Sequence, residues 1–258
     1  MLIAPPRFPP LVPPLVPDVT PTLILGMPAP PPPRIDQFTA RRSARCAVRG
    51  PEDPGSVREL WIALHGYGQL ATDMVAGLSA LDDGTRLIVA PEALSRFYDV
   101  RGELGRHHEA RVGASWMTRE DRLRDIEDVI GWLQQAYESY AARVPTSATV
   151  HVIGFSQGAA AASRWVAAGR VPARHLICWG ASLAPELDLG AAGDAENPLR
   201  RAKVQIVIGE RDEFVSAANI AAESARLDAA GFTYEMVSFA GGHRLDDETL
   251  RAVAGAGA

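Results

Sequence analysis

From about residue 34 onward, two hydrophobic patterns take turns along the chain. Short continuous apolar runs have the look of buried strands, and between them lie segments whose apolar residues recur at three- and four-residue steps, the mark of amphipathic helices. The strand-like runs are Glu59–Leu64 (ELWIAL), 86–90 (RLIVA), 149–153, His175–Trp179 (HLICW), 204–208 (VQIVI) and 232–239. Residues 38–48 have charged residues interleaved and read as an edge strand. Helical spacing covers 72–81, where Met74, Val75 and Leu78 share a face and Asp82-Asp83-Gly84 ends the element. A longer helix is predicted after Thr118, with Asp121 three residues on as in a capping box, and an apolar stripe of Leu123, Ile126, Ile130, Leu133, Tyr137 and Tyr140. Two more helices are expected at 216–230, capped by Ser216 and stopped by Gly231, and at 245–253. Residues 91–117 show neither period and are expected to be irregular. Strands alternating with helices predict an α/β fold, with a mostly parallel central sheet and helices on both faces.

The first 34 residues break this pattern. They hold 13 of the 20 prolines and are expected to form a proline-rich, disordered, partly polyproline II tail, leaving 35–258 as the folded domain. Met27 stands as an alternative start. The tail has a single early basic residue, Arg7, and prolines interrupt its apolar residues, so neither a secretory signal nor a membrane span is expected. With those signals absent, the expectation for location is cytoplasmic.

Composition narrows the function. The chain has 258 residues, 47% of them hydrophobic, which is enough for a sizeable core. A net charge of -5 argues against a nucleic-acid partner, whose footprint would be basic. Two cysteines, Cys46 and Cys178, form no metal motif and no disulfide framework.

The chemistry centres on one stretch. The apolar run at 149–153 leads into Gly154-Phe155-Ser156-Gln157-Gly158, and an alanine-rich helix former follows. Strand, G-x-S-x-G and helix make the setting of a nucleophile elbow, in which the serine occupies a sharp, strained turn at the positive end of a helix. A serine hydroxyl needs a base within reach and a third group to orient that base. This chemistry needs no metal and no cofactor, so none is expected. Of six histidines, His243 follows the last predicted strand directly, where α/β folds place catalytic groups. His107 and His108 lie in the irregular stretch, His151 and His175 lie within strands as packed residues, and His65 precedes a glycine turn in a structural role. The acid should fall between serine and histidine in sequence. There Asp212 stands just beyond a strand end in Gly209-Glu210-Arg211-Asp212, with Glu210 and Glu213 as competitors.

These motifs, together with Leu64-His65-Gly66-Tyr67-Gly68 and Gly242-His243, resemble the α/β-hydrolase superfamily, and within it the phospholipase/carboxylesterase group that includes the acyl-protein thioesterases. Trp116 followed by the helix carrying Asp125 and Ile126 is similar to a stretch of that group, and the resemblance covers 38–253. It implies an α/β-hydrolase fold without a large cap domain, Ser156 as nucleophile, His243 as base and Asp212 as orienting acid. It implies an oxyanion hole from the backbone N–H groups of Tyr67 and Gln157. Residues 91–117 depart from the group's usual pattern, so the resemblance carries over reaction class rather than substrate. Trp116, Phe97 and Tyr98 are candidates to line the acyl pocket. The expected partner is a small-molecule ester or thioester, with no stable membrane insertion. A dienelactone-hydrolase-like or peptidase-like member of the same fold, or a non-catalytic module that kept the fold, are the alternatives.

Overall fold

A computed structural model describes residues 32–99, 110–190 and 197–255. The chain divides into Met1–Arg42 and Ser43–Ala258. Residues 32–42 of the first unit carry no helix or strand; residues 1–31 of the predicted tail lie outside the described residues.

The second unit is built on a seven-stranded sheet. Its strands are β1 (Cys46–Arg49), β2 (Glu59–Leu64), β3 (Arg86–Pro91), β6 (Thr149–Phe155), β7 (His175–Trp179), β8 (Lys203–Gly209) and β9 (Glu235–Phe239). The spatial order is β1-β3-β2-β6-β7-β8-β9, parallel throughout except for the antiparallel edge pair β1–β3. The helices are α1 (Ala71–Gly77), α2 (Arg122–Ala141), α3 (Gln157–Ala167), α4 (Pro198–Arg201), α5 (Ala217–Ala229) and α6 (Asp247–Val253).

The strand period sorts the core into two layers. Along β2, Leu60, Ile62 and Leu64 join the cluster that α2, α3 and α5 cover. Trp61 and Ala63 point the other way, into the cluster that α1 and α6 cover. Both faces of β2 are fully buried, which is why its sequence is a continuous apolar run rather than an alternating one. Among the described residues, no helix is long and apolar enough to cross a membrane.

Three expectations are corrected. The edge strand spans Cys46–Arg49 rather than 38–48: its partner β3 ends at Pro91, opposite Cys46, so the residues before Cys46 have no strand to pair with. Residues 91–117 are not irregular throughout. Ser95–Asp99 (β4) and Arg111–Ser115 (β5) pair antiparallel, from Ser95 opposite Ser115 to Asp99 opposite Arg111. His107 and His108, between them, lie outside the described residues. The long helix starts at Arg122, not after Thr118. Asp121 takes a left-handed backbone (φ 47°, ψ 37°) that breaks the turn, and the Thr118 hydroxyl bonds to Glu120 instead of capping. Leu123 of the predicted stripe, in the first turn of α2, faces solvent, while Leu133 is fully buried.

His151 and His175 are packed within strands, as their positions suggest. The His151 ring stacks on Trp61 at 4.6 Å, and the His175 Nε2 lies 2.7 Å from the Gln205 side-chain oxygen. Burial pushes both imidazoles down, His175 to about 4 with help from its neighbour His151. The charged groups around them are Glu59, Arg86, Arg174, Lys203 and Glu235, of which Arg86 pairs with Glu59 and Lys203 with Glu235. The folded chain therefore keeps these rings neutral, while the unfolded chain takes up protons as pH falls below about 6.5. Stability is full above that pH and declines as pH drops toward 4, by roughly 3 kcal/mol for His175. Urea midpoints at pH 7 and pH 4.5 should separate, and His175→Gln should narrow the gap; equal gaps in parent and variant would contradict this.

Candidate active site

The end of the sheet where β6, β8 and β9 finish holds the three residues expected to carry chemistry. At the first, β6 runs straight into α3 with Ser156 alone between them. Ser156 has φ 53° and ψ -118°, a strained conformation for any residue with a Cβ. Its N–H donates to the Trp179 carbonyl at 2.7 Å, which ties the turn to β7. The two flanking glycines are required by contact. A Cβ on Gly154 would lie 2.3 Å from the Gly158 carbonyl oxygen, and one on Gly158 would lie 2.3 Å from that of Leu64. Gly158→Ala should cost about 3 kcal/mol of stability, since backbone atoms of β2 would have to move. Gly131, inside α2 with nothing within 4 Å, is the control. Gly131→Ala should be neutral or stabilising by up to about 1 kcal/mol. Denaturant midpoints of the two variants check the contrast.

The loops after β8 and β9 are bonded together, Glu210 N–H to Phe239 O at 2.9 Å and Arg211 N–H to Gly241 O at 2.8 Å. A side chain on Gly209 would strike the Gly241 and Gly242 carbonyls, at 2.6 and 2.5 Å. This close approach sets Asp212 beside His243. The Asp212 Oδ2 lies 2.7 Å from the His243 Nδ1, and the Asp212 side chain is only 1% exposed. Glu210 and Glu213 are exposed, so Asp212 is the carboxylate that meets the ring. A carboxylate oxygen accepts, so Nδ1 carries a proton, and in the neutral ring Nε2 then has the lone pair. The other oxygen, Oδ1, accepts from the N–H groups of Phe214 (2.9 Å) and Val215 (3.2 Å). The His243 ring contacts Phe155, at 4.8 Å between centroids, and Phe214, at 4.7 Å, with Gly180 backing its Cε1. Phe155 adjoins Ser156, so serine and imidazole share one neighbourhood. Among the described residues no hydrogen bond joins the Ser156 hydroxyl to Nε2; in unliganded sites such bonds are commonly long and tighten with substrate.

Tyr67 lies in the turn that follows β2. His65 organises that turn from the core: its Nδ1–H donates to the Gly66 carbonyl at 2.8 Å, and its Nε2 accepts from the Ala93 N–H at 3.1 Å. Burial lowers its pKa, in keeping with a neutral ring of fixed tautomer. Gly66 N–H donates to the Gln69 side chain, and Gly68 N–H donates to the Ala114 carbonyl. Among the described residues the main-chain N–H groups of Tyr67 and Gln157 have no acceptor.

Two features escaped the sequence reading. The first is the Gln157 side chain. Its oxygen accepts from the Trp116 N–H at 3.0 Å, and its nitrogen donates to the Met117 carbonyl at 3.0 Å. It thereby binds the strand end after β5 to the elbow, a long-range contact that no local spacing signals. The second is Phe214, 71% exposed beside the imidazole.

The proposed pocket residues differ in setting. Trp116 is buried, with its indole N–H donating to the His65 carbonyl at 2.7 Å. With Met117, Ile126, Val129, Ala161 and Arg164 it lines a small, half-open groove. Arg164 there is held by Glu186. Burial pushes the Glu186 carboxyl up, but hydrogen bonds from Arg164 and Arg122 outweigh that and hold it at about 2. Phe97 stacks on Tyr67 at 5.0 Å, whereas Tyr98, its neighbour along β4, is 54% exposed.

No protein-family model and no curated protein sequence matches the chain. Solved structures do. Acyl-protein thioesterase 2 of Zea mays aligns over 83% of this chain and 99% of its own, at 20% identity and a TM-score of 0.62. Esterase PE8 aligns over 83% and 97%, at 21% identity and a TM-score of 0.57. A phospholipase/carboxylesterase from Dyadobacter fermentans aligns over 84% and 97%, at 17% identity and a TM-score of 0.57. The chain has the α/β-hydrolase fold. In an α/β-hydrolase the nucleophile stands on the elbow between a strand and the helix after it, with the acid and the histidine following in that chain order. Here Ser156 stands between β6 and α3, and Asp212 and His243 follow β8 and β9 in that chain order.

Proposed function

We propose that this α/β-hydrolase cleaves carboxylic esters through an acyl-enzyme on Ser156. The observation that carries the reading is the Asp212–His243 pair at 2.7 Å, its carboxylate buried, set near a serine whose backbone is strained into the elbow conformation. His243 Nε2 takes the Ser156 proton as Oγ attacks the carbonyl carbon, forming the Oγ–C bond. The carbonyl electron pair moves onto oxygen, which the N–H groups of Tyr67 and Gln157 receive; each such donor is worth about 3 kcal/mol of barrier. The intermediate collapses, the bond to the leaving oxygen breaks, and His243 returns its proton to that oxygen. Water then repeats the sequence on the acyl-enzyme, with His243 as base, and releases the acid. Asp212 holds the tautomer and stabilises the imidazolium throughout.

Thioesters fit the same sequence, with the thiol as leaving group, and the likeness to a plant acyl-protein thioesterase favours including them among the substrates tested. Intact-protein mass after exposure to a fluorophosphonate probe is the test. One adduct on the parent, absent from Ser156→Ala, is expected. A folded parent without an adduct would overturn the reading in favour of a non-catalytic module.

A further inference from the structure

We infer that Phe214 selects the leaving group, favouring esters of bulky apolar alcohols over esters of small ones with the same acid. This rests on the ester-hydrolase reading above.

Acid–base chemistry locates the leaving group. Its oxygen receives the proton carried by His243, and Nδ1 is committed to Asp212, so that proton comes from Nε2. The leaving oxygen therefore lies within hydrogen-bond reach of Nε2, and its substituent lies against whatever flanks the imidazole. Two aromatic rings flank it. Phe155 is 7% exposed, with its surface taken up by the core. Phe214 is 71% exposed, with its centroid 4.7 Å from that of the imidazole and the planes at 56°. It is the flank with apolar surface to offer.

The backbone beneath Phe214 is anchored. The Asp212 carboxylate that holds His243 through Oδ2 also accepts the Phe214 and Val215 N–H groups through Oδ1. Base and aromatic platform are thus tied to one carboxylate, which keeps the platform in register with the proton donor. Around it Glu210, Arg211 and Glu213 are exposed and charged, so the apolar surface at this edge belongs to the ring. The ring leaves most of its area to water beside the imidazole, where a bound substrate can cover it.

The experiment compares methyl, hexyl and benzyl butyrate on the parent, Phe214→Ala and Phe214→Leu. The acyl-enzyme is common to all three esters, so kcat/KM reports its formation. Intrinsic ester reactivity cancels when variant is divided by parent. In Phe214→Ala the benzyl-to-methyl ratio of kcat/KM should fall about tenfold. Phe214→Leu should recover the hexyl-to-methyl ratio better than the benzyl-to-methyl ratio. A fall of all three esters together would overturn the inference and make Phe214 a positioning residue for His243. A shift that follows acyl length among methyl esters would overturn it by placing the ring on the acyl side. A parent that hydrolyses no member of the series and takes no fluorophosphonate would overturn the ester-hydrolase reading itself, and this inference with it.

Discussion

Ser156→Ala is expected to lower kcat for a chromogenic ester by about 10⁶-fold while leaving the denaturant midpoint unchanged within about 0.5 kcal/mol. The two halves have separate physical origins. Removing the hydroxyl removes the atom that forms the acyl bond. The rest of the site then retains only the contribution of its oxyanion donors and of binding, roughly 10³-fold over water. Stability is spared because the Ser156 hydroxyl has no hydrogen-bond partner among the described residues. Alanine also carries the same Cβ through the same positive φ of 53°, so the strain is no greater than in the parent. The measurement is turnover by stopped assay alongside a urea titration. Turnover above about one part in a hundred of the parent would remove Ser156 from the mechanism.

Asp212→Asn is expected to lower kcat by about 10⁴-fold with the fold intact. Its bonding makes the direction unambiguous. One carboxylate oxygen serves two backbone donors, Phe214 and Val215, and the other serves His243. An asparagine has one oxygen and one NH₂. Facing the oxygen to the backbone pair keeps two hydrogen bonds and turns the NH₂ toward Nδ1. The imidazole then has to present a lone pair there and carry its proton on Nε2, which leaves no base for the serine. Facing it the other way sets an NH₂ against two N–H groups and loses the turn. The first arrangement keeps more bonds, so the folded variant should hold the wrong tautomer. Single-turnover kinetics should show slowed acyl-enzyme formation, and a loss smaller than about tenfold would contradict the orienting role. Glu213→Gln, at an exposed neighbour, is the natural comparison.

Much of this architecture is legible in local patterns. The buried strands announce themselves as apolar runs, because a parallel sheet covered on both faces asks the same of every position. The elbow is legible because a strand, a strained serine and a helix cannot come this close without glycine at positions 154 and 158. His243 and Asp212 are legible as a short list, since each stands just past a strand end, and the choice of Asp212 over Glu210 and Glu213 follows a positional rule.

The remainder depends on contacts between segments far apart in the chain. That Asp212 reaches the ring while Glu210 and Glu213 face water is decided by the Gly209–Gly241 approach between two loops. The stretch at 91–117 shows no period because β4 and β5 make a two-stranded ribbon in which Phe97 packs on Tyr67 from a distant turn. Gln157 in the elbow says nothing locally of its bonds to Trp116 and Met117, some forty residues away. Phe214 reads as one apolar residue in a charged loop until the fold lays it on the imidazole. Backbone conformation and burial are written into neighbouring residues, because sterics and hydrophobic period act over a few positions. Which side chains meet at the strand ends is set by the order and register of the strands, and those are properties of the assembled sheet.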